Sequence, residues 1–207
     1  MKKGLFVVFE GIDGAGKTTQ VALLAKYLGE KGHRVMVTRD PGGTPLGEEL
    51  RNVLLHSAFP IDPVAETLMY AAARAQHVAE KLLPALGEGI IVISDRFYDS
   101  MCAYQGSGRG VDDSFLEKVN RFSCQGLSPD ITILLDMEPE AALSRLTRPA
   151  DRMEGEGLGF LVRVRAGYLS RSHKSSGLYI VLDASLPVKE IALRATRAVE
   201  KLLEDKI

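Results

Sequence analysis

The chain has 207 residues, 45% of them hydrophobic and 26% charged, with a formal net charge of −1. That composition suits one globular core and leaves little room for two. A near-neutral balance argues against binding a nucleic-acid polymer or a membrane surface, either of which draws on a basic excess, but a small anion held by a local group of arginines fits it.

Taken in chain order, Met1-Lys2-Lys3 precede an apolar run, Leu5–Phe9, that stops at Glu10. The run is too short for a signal-peptide core or a bilayer span and reads as a strand. Val35–Val37, Ile90–Ile93, Ile131–Leu135 and Tyr179–Leu182 are four more such runs, rich in Val and Ile and separated by helical segments. Strands buried on both faces and alternating with helices predict an α/β fold: a five-stranded parallel sheet with helices on both faces. One domain covers 1–207. In such sheets ligands bind beyond the carboxyl ends of the strands, where the loop at Gly11, Arg39-Asp40 and Asp95-Arg96 fall.

Residues 63–86 have helical spacing. Val64, Leu68, Ala71, Ala75, Ala79 and Leu82 share one face and are expected to meet the core. Tyr70 and Arg74, four apart, lie together on the opposite face. The stretch 148–159 is polar, with three glycines and a proline, and reads as a mobile loop between helices. Cys102 and Cys124 have neither CxxC spacing nor a nearby histidine, which points to reduced thiols in a cytoplasmic protein rather than zinc.

The sharpest motif is Gly11-Ile12-Asp13-Gly14-Ala15-Gly16-Lys17-Thr18, followed by Thr19, which satisfies G-x-x-x-x-G-K-[ST] directly after a strand and before a helix. Its glycines let successive N–H groups turn inward on phosphate oxygens, and the helix from Lys17 adds its positive end. Lys17 is placed to neutralise the β and γ phosphates of ATP, and the Thr18 hydroxyl to ligate Mg²⁺. This is the P-loop NTPase fold. The Asn-Lys-x-Asp motif of GTP-binding switches is absent, and the length does not suit a ring-forming motor. Arg39, Arg51, Arg74, Arg96, Arg148 and Arg152 supply positive charge for transfer between two phosphorylated ligands.

The ordered segments FEGIDGAGKTTQ (9–20), TRDPGGTPLGEELR (38–51), LMYAAARAQ (68–76), SDRFYDSMCAYQGSGRG (94–110) and DRMEGEG (151–157) resemble the thymidylate kinase family. The resemblance implies transfer of phosphate from ATP to dTMP with Mg²⁺, giving dTDP, in a homodimer. It implies that Arg96 bridges donor and acceptor phosphates and that Asp95 holds Mg²⁺ through water. Arg51 would bind the monophosphate, Tyr70 stack on thymine, Arg74 bond its carbonyl edge, and Asp13 reach the acceptor sugar. Ser100, Tyr104 and Gln105 fall in the acceptor pocket, with Tyr104 crowding a 2′-hydroxyl. Tyr70 stands where the family commonly has Phe, so its hydroxyl needs a polar partner or water. Some members carry arginine at the position of Gly14; those without it take a catalytic arginine from a lid, here Arg152 or Arg148. The alternatives are a kinase of the same fold for another acceptor and a non-catalytic nucleotide sensor.

Overall fold

The computed structural model describes residues 4–146, 151–174 and 178–204. Five strands form one parallel sheet: β1 (Phe6–Glu10), β2 (Val35–Arg39), β3 (Ile91–Asp95), β4 (Ile131–Asp136) and β5 (Leu178–Asp183). Their spatial order is β2-β3-β1-β4-β5. The five apolar runs of the sequence are these strands to within one or two residues at each end, Leu5 and Ile90 falling just outside β1 and β3. The central strand β1 shows why: every residue is buried, and alternate side chains enter different cores. Leu5, Val7 and Phe9 pack with helices α1 (Lys17–Glu30), α8 (Leu158–Lys174) and α9 (Val188–Glu204). Phe6 and Val8 join Val78, Leu82 and Leu86 on the other face. A strand apolar on both sides has no alternation to display, so it reads as an unbroken run.

Helices α2 (Pro45–His56) and α3 (Pro63–His77) start where side-chain caps demand it. Thr44 accepts from the Gly47 N–H at 3.0 Å, Asp62 accepts from the Val64 N–H at 2.8 Å, and proline follows each cap. Helix α3 continues through a π turn, Val78–Leu82, into α4 (Leu83–Gly87). The predicted helix 63–86 is therefore present, but only part of its expected stripe is buried: Ala71 and Leu82 meet the core and Ala75 is half-buried. Glu66, Thr67, Arg74 and His77 are buried, whereas Val64 and Leu68 are 46% and 49% exposed and Ala79 is also exposed. The expectation that the whole apolar stripe meets the core is corrected at Val64, Leu68 and Ala79. On its polar face Glu66 and Arg74 find charged partners in Arg109 and Asp40, His77 bonds the Thr38 hydroxyl, and Thr67 donates to the Pro63 carbonyl. Helices α5 (Tyr98–Met101), α6 (Asp113–Ser123) and α7 (Pro139–Ser144) complete the set, α5 running into a π turn, Cys102–Gly108.

Ile133 in β4 is fully buried, while Val181 on the edge strand β5 is 45% exposed. Ile133→Ala is expected to lower unfolding free energy by about 2–5 kcal/mol in urea titration, and Val181→Ala by less than about 1 kcal/mol.

Candidate active site

The phosphate loop leaves β1 at Gly11. Gly11 has φ +138° and Gly14 φ +85°, and a Cβ on either would collide with backbone: the Leu135 carbonyl oxygen at 2.5 Å and the Ala142 carbonyl oxygen at 2.2 Å. The second contact gives Gly14 a local reason beyond the family pattern, since any larger residue there displaces α7. Ile12 and Ala15 turn their side chains into the core, so what they can offer a phosphate is backbone. Helix α1 starts at Lys17 with no side chain capping it and no acidic residue in its first turn, which leaves its amino end free for an anion. Lys17 is 6% exposed and folds back onto the Ile12 carbonyl at 2.9 Å, 3.8 Å from Asp13. It is a buried cation at the cleft floor rather than a solvent-facing one.

The cleft above the loop has a volume of about 820 Å³; Asp13, Gly14, Gly16, Lys17, Thr18, Thr19, Arg39, Arg51, Asp95 and Arg96 are among the residues that line it. Thr18 donates to Asp95 at 2.9 Å, which brings the two predicted metal-binding side chains together. Among the described residues no three His, Cys, Asp or Glu side chains gather into a cage. One hydroxyl and one carboxylate fit a magnesium ion, which keeps waters and takes further oxygens from substrate phosphates.

Arg96 holds the centre. Its backbone sits at φ +75°, an uncommon conformation for a residue with a side chain, fixed by an N–H bond to Phe9 and a Ser94 hydroxyl bond to its carbonyl. Nη2 donates to Asp13 at 2.8 Å and to the Tyr104 hydroxyl at 3.0 Å. Nη1 donates to the Tyr168 hydroxyl at 2.7 Å and to the Ser100 hydroxyl at 3.1 Å. Tyr104 in turn donates to the other oxygen of Asp13 at 3.0 Å. Burial raises the Asp13 carboxyl, but Arg96 and Lys17 outweigh it and hold the group well below its ordinary range. Beneath this layer lies Glu10, which accepts from the Phe97 N–H, both donors of Ser100 and the Tyr168 hydroxyl. Burial, then Asp99, push Glu10 up to about 7 against the pull of Arg96, Ser100 and Phe97.

A second cavity shares Asp13, Asp40, Arg51 and Arg96 with the cleft and is lined beyond them by Tyr70, Arg74, Ser100, Tyr104 and Gln105. Tyr70 and Arg74 do share a helix face, but it is the buried one. Arg74 is 1% exposed and bonds Asp40 at 2.6 Å and Asn120 at 2.9 Å, with Phe97 beneath its guanidinium at 5.7 Å. Asp40 strengthens the charge that burial opposes. Burial raises the Tyr70 phenol well above its ordinary range, so it is neutral. Arg51 donates to the Pro41 carbonyl at 2.9 Å, and burial followed by Arg39 and Arg96 lowers its basicity. Three cations crowded at one cleft are a site for anionic oxygens.

Arg152 is not gathered with them. Its Nε donates to the Leu54 carbonyl at 2.7 Å and its Nη2 to Glu66. Arg148 lies outside the described residues. Glu10, Tyr168 and Glu66 were not singled out by the sequence. Glu10 carried a faint sign, a charge ending an apolar strand; Tyr168 carried none.

Asp13 has an ordinary pKa of 3.8, and its folded value is depressed. Its ionised form therefore stabilises the fold above that pH, and the contribution disappears as pH falls through the folded value. The stability gap between wild type and Asp13→Asn, measured by urea denaturation, is expected to be present at pH 7 and to close progressively below about pH 4.

A family model described as thymidylate kinase matches residues 9–194. The thymidylate kinase of Pelotomaculum thermopropionicum is 48% identical over 206 residues, covering 98% of this chain and 95% of that protein. Those of Trichlorobacter lovleyi and Deinococcus radiodurans are each 45% identical, covering 94% and 97% of this chain and 96% and 98% of theirs. With near full-length matches of this kind around a phosphate loop that opens onto a second cavity, the chain belongs to the thymidylate kinase family.

Proposed function

We propose that this enzyme phosphorylates dTMP to dTDP with ATP and Mg²⁺ by direct in-line transfer. The observation that carries the reading is the meeting of two cavities at Asp13, Asp40, Arg51 and Arg96, one floored by the phosphate loop and one walled by Tyr70, Arg74 and Tyr104. Two phosphorylated ligands, one in each, would bring their phosphates together beside Arg96.

In that arrangement the backbone from Gly11 to Thr19 and the amino end of α1 hold the triphosphate, with Lys17 against its β and γ groups. Arg51 binds the acceptor phosphate and Arg96 spans the gap. An acceptor oxygen attacks the γ phosphorus, the bond to the β,γ-bridging oxygen breaks, and ADP leaves with that oxygen. The acceptor phosphate is already ionised, so no general base is needed. Thr18 and Asp95 are the residues to hold Mg²⁺, which supplies charge neutralisation on the phosphate oxygens. Tyr70 stacks on the base, Arg74 offers a guanidinium to its carbonyl edge, and Gln105 lines the same pocket. Tyr104, tied to Asp13 and Arg96, crowds a 2′-hydroxyl. Ser100 acts chiefly on Arg96, since its hydroxyl donates to Glu10 and accepts from Arg96.

The lid is the stretch 148–159, and Arg152 is its catalytic arginine, with Arg148 the second candidate. Arg152 then leaves Glu66 on closure, which also excludes water and limits ATP hydrolysis. The whole chain forms one domain. A second copy pairs on the α2–α3 surface, where Leu46, Val53, Val64 and Leu68 stand exposed. Among the described residues no helix is long and apolar enough to cross a membrane, in keeping with a cytoplasmic enzyme.

Assay of dTMP, dUMP, CMP and AMP with ATP and Mg²⁺ tests the reading. We expect dTMP to give the highest kcat/KM, with CMP and AMP at least about 100-fold below it. Equal rates on all four would reject the pocket assignment, and ATP binding without turnover on any acceptor would favour a sensor.

A further inference from the structure

Glu66, in the first turn of α3, is a carboxylate without solvent exposure. Its Oε1 accepts from Gln105 Nε2 at 2.8 Å and from Arg109 Nε at 3.0 Å. Its Oε2 accepts from Arg109 Nη2 at 3.3 Å and from Arg152 Nη2. Burial disfavours its charge, but the bonds from Arg109, Gln105 and Arg152 outweigh that and hold the carboxyl below its ordinary range. Glu66 is therefore ionised, and an ionised carboxylate can only accept. If Arg152 departs on lid closure, Arg109 still supplies two of the bonds and the partial neutralisation.

Gln105 is 1% exposed and lines the acceptor cavity with Tyr70 and Arg74. A side-chain amide has a donor end and an acceptor end, and a half-turn of the group exchanges them. With Nε2 on Glu66, the amide's other end is its carbonyl oxygen. The reversed amide would set that oxygen against a buried carboxylate, two acceptors with no proton between them.

We propose that Glu66 is a specificity-positioning residue: it locks the Gln105 amide so that the cavity presents a carbonyl oxygen and selects a base edge bearing a ring N–H. The proposal rests on the reading of the cavity as a pyrimidine monophosphate site. Thymine and uracil carry N–H at ring position 3 beside a carbonyl. Cytosine carries an unprotonated ring nitrogen there beside an amino group. Against a fixed carbonyl oxygen the cytosine nitrogen meets acceptor to acceptor, and against the Arg74 guanidinium its amino group meets donor to donor. The 5-methyl group plays no part, so discrimination between thymine and uracil does not pass through Glu66.

The test compares kcat/KM for dTMP, dUMP and dCMP in the wild type and in Glu66→Gln, which keeps the shape but can donate as well as accept. The dTMP/dCMP ratio is expected to fall at least about tenfold, because Gln105 can now turn over, while dTMP/dUMP stays within about twofold. A residue that only braces the fold would depress all three acceptors together, so two unchanged ratios overturn the proposal. Failure of the wild type to phosphorylate dTMP would overturn the functional reading and this proposal together; dTMP turnover with unchanged ratios overturns this proposal alone. If Glu66→Gln does not fold, the wild type still decides. Its Gln105 side-chain amide signals, identified by their absence in Gln105→Leu, are expected to include one downfield, slowly exchanging proton. Rapid exchange of both protons would contradict the lock.

Discussion

The pairing of Arg96 with Asp13 is the interaction around which the site is organised. It joins the phosphate loop to the end of β3, and its two ends are among the four residues common to the two cavities. The four terminal N–H groups of Arg96 meet four acceptors, Asp13, Tyr104, Tyr168 and Ser100. A guanidinium is planar and its donors point in fixed directions, so four matched acceptors leave little freedom of position. The positive φ of Arg96 is the local strain that this geometry accepts. Glu10 closes the arrangement from below: the hydroxyls of Ser100 and Tyr168 donate to it and offer their lone pairs to Arg96.

The same economy recurs in and around the second cavity. Arg74 with Asp40, just beyond the end of β2, is a fully buried ion pair, and Glu66, without solvent exposure, pairs with the partly buried Arg109. Removing such charges from water costs several kcal/mol per ion, which close partners recover only in part. An arrangement that costs stability and fixes geometry suits a site that must hold charged groups in place before substrate arrives, because preorganised dipoles need not move during the reaction.

How much of this was legible in the sequence depended on which physical rule each residue obeys. The strands were legible because β1, β3 and β4 are buried on both faces and leave unbroken Val and Ile runs. The phosphate loop was legible because Gly11, Gly16, Lys17 and Thr18 stand at the fixed positions of its motif, and at Gly11 the close backbone leaves no room for a Cβ. The burial of helix α3 was misread in part for a definite reason: a polar face buried against polar and charged partners has the same periodicity as one facing water. Glu66, Arg74 and His77 look solvated until Gln105, Arg109, Asp40 and Thr38 are set beside them. The partnership of Glu10 with Tyr168 spans 158 positions, a distance at which local pattern says nothing. Arg152 was singled out by its motif, yet its bonds to Glu66 and Leu54 belong to tertiary structure alone.

A fixed fork between two phosphates and a positive charge near them are different roles for Arg96, and the bonds that hold its guanidinium support the first. Arg96→Lys separates the two, since lysine keeps the charge but has three donors and no planar geometry. Single-turnover transfer from ATP to dTMP should slow at least about 100-fold, with the KM for dTMP changed less than about threefold and the fold intact by circular dichroism. A transfer rate within about threefold of the wild type would contradict the account, because charge alone would then suffice.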